Sequence, residues 1–107
     1  MQQGPFVDLI IEKQRELKEQ YLVGLYKLAY IYFQLGMPDE SIGELDKILT
    51  LVPIRHEAYE LLQGVYKRYF PEKLAKLPFR YARALNDAGF DSHEVSSTIK
   101  NLMGEPK

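Results

Sequence analysis

Acid–base, nucleophilic and metal chemistry in proteins rests mainly on histidine, cysteine, carboxylates and activated alcohols. This chain of 107 residues has no cysteine and two histidines, His56 and His93. The missing thiols remove a cysteine nucleophile, a thiolate zinc site and a disulfide scaffold together. Each histidine sits near a predicted helix start. An exposed or structural role is the plainer use of both. Ser92, Ser96 and Ser97 neighbour His93, but sequence neighbours are no triad without a fold to fix them. There is no His-Glu-x-x-His pair, no phosphate-binding glycine loop and no nucleophile-elbow glycine pattern. No catalytic residue, metal or cofactor is therefore expected.

Binding chemistry is better represented. Residues 67–83 hold Lys67, Arg68, Lys73, Lys76, Arg80 and Arg83 against Glu72 alone. Lys73, Lys76, Arg80 and Arg83 recur at helical spacing, which predicts one basic helix face. Such a face suits an acidic protein surface or nucleic acid. No nucleic-acid motif accompanies it, and a solvated face is the commoner origin of a charge run. The N-terminal segment interleaves Val7, Ile10, Ile11, Leu17, Tyr21 and Leu22 with Glu12, Lys13, Arg15, Glu16, Lys18 and Glu19. Ile10, Leu17, Tyr21 and Leu28 lie near heptad spacing, interrupted by Gln14 and Gly24. A cap on the core is the plainest reading of this segment. A dimerisation helix and a lid are the alternatives.

The elements that carry these residues read as helices throughout. Leu22, Leu25, Leu28, Ala29, Tyr32 and Phe33 follow helical steps that stop at Gly36. Pro38-Asp39-Glu40 opens a second helix with stripe Ile42, Leu45, Ile48 and Leu49, closed by Pro53. A third runs from Arg55 to Tyr69, with Tyr59, Leu62, Val65, Tyr66 and Tyr69 on one side. A fourth runs from Pro71 to Gly89, carrying Leu74, Ala75, Phe79, Ala82 and Leu85. Pro78 falls inside it, and because the stripe Leu74, Leu77, Tyr81, Leu85 keeps its phase across the proline, a kink is expected. The last helix spans Ser92 to Met103, opened by Asp91 and Glu94 as a capping box. Residues 5–24 form either a separate helix or the start of one long helix. The absence of a breaker between Pro5 and Gly24 favours a near-continuous one.

Composition agrees with one small globular domain over 1–107: 46% hydrophobic, 27% charged, net charge −1. No apolar run approaches the ~18 residues of a membrane span. Met1-Gln2-Gln3-Gly4-Pro5-Phe6 lacks the basic and apolar regions of a secretory leader, so a cytoplasmic location is expected.

A repeat appears at a spacing of 34: Leu25 recurs as Tyr59, Leu28 as Leu62, Tyr32 as Tyr66, Ser41 as Ala75, Leu45 as Phe79 and Ile48 as Ala82. Leu25, Leu28, Ala29, Tyr32, Gly36, Ser41, Leu45, Ile48 and Pro53 resemble one tetratricopeptide repeat over 22–54, and the recurring set resembles a second over 55–88. The second unit departs from the family pattern at Gln63, Phe70 and Asp87. The resemblance implies an α-α superhelix of antiparallel helix pairs. Two repeats are fewer than the ~3 such arrays usually need, so helices at 5–22 and 91–103 are expected to cap it, with Val95, Ile99 and Leu102 facing inward. The chain is then expected to self-associate if they do not.

The same resemblance implies a non-catalytic adaptor that binds a peptide or helix of another protein on a concave face. That face would carry Tyr26, Tyr30, Phe33 and Gln34 from the first unit, with Glu60, Gly64, Lys67 and Arg68 from the second. A grip on a chaperone's terminal carboxylate, known in one subset of the family, is not expected. Its Lys and Asn positions are Tyr26 and Tyr30 here. The alternatives are self-association into a larger assembly and binding of nucleic acid or an acidic surface through the basic helix.

Overall fold

The computed structural model describes residues 4–104. They form an all-α fold: α1 (Pro5–Gln34), α2 (Pro38–Leu51), α3 (His56–Tyr69), a 3₁₀ segment (Pro71–Lys76), α4 (Leu77–Asp87) and α5 (Ser92–Met103). No strand occurs among the described residues. Pro5 starts α1, where a missing N–H costs nothing. Gly24 does not interrupt the helix. It ends at Gln34, two residues before Gly36, whose φ of 74° suits a residue without Cβ, and the Met37 N–H bonds the Tyr32 carbonyl at 2.9 Å.

The short reversal lays α2 back along α1. At their closest approach the fully buried Ser41 hydroxyl donates to the Ala29 carbonyl at 2.8 Å. Small residues at 29 and 41 permit that approach, and Leu25, Leu45 and Ile48 fill the space beside it. α3 packs on α2 and α1, and α5 packs on α4 and α3 in the same manner. The capping box forms as expected: Glu94 N–H donates to Asp91 Oδ1 at 2.8 Å and Asp91 N–H to Glu94 Oε1 at 3.0 Å. Val95 and Leu102 are buried, Ile99 is half-buried, and Ser96, Ser97 and Lys100 face solvent.

Four expectations need correction. The segment from Pro71 to Gly89 is not one kinked helix. Pro78 lies in the first turn of α4, where its absent N–H would be unpaired anyway, and the chain before it tightens into a 3₁₀ segment. The break also shifts the register of the second unit. Phe79 is 77% exposed and Ala75 is exposed, while Leu77, Tyr81 and Leu85 are buried. Ser41, Leu45 and Leu49 thus find their buried counterparts 36 residues on rather than 34.

Residues 5–22, finally, do not cap the core. Every position from Gly4 to Tyr21 is exposed, and burial begins at Leu22. Length explains it: α2 has 14 residues against 30 in α1, so it covers only the second half of its neighbour. Leu28, expected inward, is also partly exposed.

Candidate partner-binding face

The second half of α1 meets α3 near its start, at Tyr26 and Glu57, and near its end, at Phe33 and Tyr69. Tyr26 is half-buried against the start of α3, and burial together with the Glu60 and Glu57 carboxylates pushes its phenol pKa up. Val23, Tyr26, Ile48, Arg55 and Glu57 line a depression of about 130 Å³ there. One turn on, Tyr30 is 44% exposed and its hydroxyl accepts a hydrogen bond from Gln34 Nε2 at 3.0 Å. Phe33 is half-buried and meets Tyr69 edge-on, ring centroids 6.2 Å apart at 81°. Its ring tip reaches 4.0 Å from where a Cβ on Gly64 would stand. The Arg68 guanidinium covers the other side of this corner, 5.5 Å from the Tyr69 ring centre, and Lys67 is exposed beside it in sequence.

The anticipated residues therefore fall along one pair of helices with a polarity that no spacing revealed. Glu57 and Glu60 stand at the Tyr26 end, Lys67 and Arg68 at the Phe33 end. A charged strut fixes the acidic end. Arg55 donates from Nη1 to Glu19 Oε2 at 2.8 Å and from Nη2 to the second oxygen, and its Nε lies 3.1 Å from Glu57. The Arg55 hydrogen bonds and charge hold the Glu19 carboxyl below its usual range.

The basic row divides. Lys73 Nζ sits 4.8 Å from the Phe70 ring centre and Arg80 Nη2 lies 3.5 Å from Asp46 Oδ1, while Lys76 and Arg83 are exposed. Lys73, Lys76 and Arg80 line one depression with Tyr66 and Leu77, and Arg80 and Arg83 line a second with Leu49 and Tyr59. The row is thus carried on two elements rather than one helix.

Sequence reasoning missed an aromatic tie between α3 and α4. Tyr59 and Tyr81 stack at 3.9 Å and 10°, Tyr59 donates to the Pro53 carbonyl at 2.7 Å, and the Tyr81 hydroxyl shares a 2.7 Å hydrogen bond with His56 Nδ1. Burial, with Tyr59 and the Glu57 and Glu60 charges, pushes the Tyr81 phenol up to about 12. Tyr81 is 1% exposed, so this hydroxyl joins two helices and reaches no substrate. The helical phase Leu77–Tyr81–Leu85 is the one signal that pointed to it. His93 is exposed. Among the described residues no cluster of three metal-ligating side chains occurs, and no helix is long and apolar enough to cross a membrane. No family model, curated protein or solved structure matches this chain.

Proposed function

We propose that the chain is a non-catalytic adaptor in the cytoplasm, binding a peptide or amphipathic helix of another protein across the α1–α3 face. Its contacts are Tyr26, Tyr30, Phe33, Gln34, Glu60, Lys67 and Arg68. The supporting observation is the aromatic row on α1, open at Tyr30 and bounded by carboxylates at one end and by cations at the other. Aromatic side chains bury much area at low entropy cost, and charges at the rim set orientation. A ligand with its basic end at Glu57 and Glu60 and its acidic end at Lys67 and Arg68 meets opposite charge at both.

The resemblance to tetratricopeptide repeats, with their superhelical stacking and ligand-lined first helices, supports the same reading. The basic row is the weaker surface, because Lys73 and Arg80 already engage Phe70 and Asp46. The test uses peptides selected by display on the wild-type chain. Tyr30→Ala is expected to weaken them tenfold or more while helicity and melting midpoint stay unchanged. Unaltered affinity refutes the reading. A matching loss of folding would make Tyr30 a core residue and refute it equally.

A further inference from the structure

A second face of α1 is independent of that reading. Along the projecting half, Val7, Ile10, Leu17 and Tyr21 follow alternating three- and four-residue steps with Gln14 between, and all are exposed, Leu17 to 62%. Beyond Tyr21 the same phase continues through Gly24, Leu28 and Ile31 to Leu35, which is 66% exposed. The buried residues Leu22 and Ala29 each follow a member of this stripe by one position, so the packed face is about 100° away around the helix. Tyr30 follows Leu28 by two positions and lies on nearly the opposite side. The stripe runs the length of α1, about 42 Å at 1.5 Å per residue. Apolar residues at a and d positions sustained over about four heptads are the mark of a coiled-coil seam. Among the described residues no second helix covers this seam.

The flanking positions say what a partner strand must be. The charged residues bordering the seam are Lys13, Lys18 and Lys27, all exposed; the other borders are glutamine or apolar. No carboxylate borders it. Asp8, Glu12, Glu16 and Glu19 lie at the remaining positions, away from the seam, where Glu19 is held by Arg55 and Glu16 lies 3.4 Å from Lys13. Flanking charges set partner choice in paired helices. A second copy of this chain, parallel or antiparallel, would bring lysine to lysine or to neutral residues, never to a carboxylate. An anionic membrane surface is disfavoured too, because residues 5–21 carry four acidic against three basic side chains.

We propose that α1 is one strand of a heterotypic coiled coil whose partner is an amphipathic helix of another protein, apolar at a and d and carrying Glu or Asp at the flanking positions. Gln14 sets the register, as a single polar residue in a seam does. Gly24, where an added Cβ would meet nothing within 4 Å, is the hole that takes a large apolar side chain of the partner.

The test uses two synthetic four-heptad peptides with Ile and Leu in the seam, one with Glu at every flanking position and its twin with Lys, read by fluorescence anisotropy against the full chain. The Glu peptide is expected to bind at least tenfold tighter than the twin. Leu17→Glu should weaken it tenfold or more without moving the melting midpoint, whereas Tyr30→Ala should leave it unchanged. Equal affinity for both peptides, no binding of the Glu peptide at about 100 μM, or a Leu17→Glu variant that binds as well as wild type overturns the proposal. So does a self-dimer in sedimentation that Leu17→Glu dissolves.

Discussion

Phe79 and Tyr81 stand two residues apart on α4 with opposite surroundings, so truncating each to alanine separates the observed register of that helix from the 34-residue one. Tyr81 is 1% exposed, stacks on Tyr59 at 3.9 Å and bonds His56 through its hydroxyl. Emptying a buried aromatic site costs about 3–5 kcal/mol. The lost ring stack lies toward the upper end of that range, since such pairs contribute about 0.5–1.5 kcal/mol beyond their area. The orphaned His56 adds little, because its side chain is 30% exposed and water can replace the phenol. About 4 kcal/mol is a large share of the ~5–15 kcal/mol that stabilises an ordinary domain.

Phe79 is 77% exposed, and Phe79→Ala should change stability by no more than about 0.5 kcal/mol. Urea unfolding followed by circular dichroism reads both, as midpoint shifts at constant slope. Should Tyr81→Ala fail to fold, Tyr81→Phe keeps the ring and is expected to cost about 1 kcal/mol. A Phe79→Ala loss above about 1.5 kcal/mol, with Tyr81→Phe neutral, would refute the register and restore the 34-residue spacing.

Two further outcomes follow from the same elements. Pro78→Ala should shift stability by less than about 1 kcal/mol, because a first-turn proline is unstrained; a gain near 3 kcal/mol in urea unfolding would mean that Pro78 interrupts a helix interior. Alkaline pH should destabilise the fold, since Tyr59, Tyr66 and Tyr81 hold their protons more tightly when folded than when unfolded. Their contribution is complete below the ordinary phenol value of 10.0 and is lost as pH rises above it, for Tyr81 toward about 12. Tyr81→Phe should flatten that loss in pH-dependent unfolding, and an unchanged slope would exclude Tyr81 as a source.

Helix boundaries were legible in the sequence wherever capping chemistry marks them. Gly36 and Pro38 bracket one turn through their backbone preferences, and Asp91 with Glu94 opens α5 through side-chain bonds to nearby N–H groups, so each signal is local in sequence. The face each helix buries was legible only where one phase competed. Over residues 75–85 two phases coexist in the sequence, Ala75–Phe79–Ala82 and Leu77–Tyr81–Leu85, and the choice depends on Pro78 delaying the helix. Periodicity cannot weigh that. The open half of α1 was illegible for a different reason: its apolar stripe looks the same whether or not a neighbour is long enough to reach it. At the α1–α3 face the aromatic row could be anticipated, but the placing of Glu57 and Glu60 at the Tyr26 end depends on how α3 lies against α1.

The length mismatch between α1 and α2 also governs how the first half of α1 comes to be helical. In water a free segment of this size is marginal, because the first turn fixes several residues for a single bond. That nucleus is already present at Leu22–Gln34, held by the packing of Leu25 and Ala29, so the N-terminal stretch is added one residue at a time onto a finished end. Amide protection should then decline steadily from Leu22 toward Pro5, and the stretch should fray gradually on warming before the rest unfolds in one step. Whatever settles along it would convert that fraying tail into part of the cooperative unit.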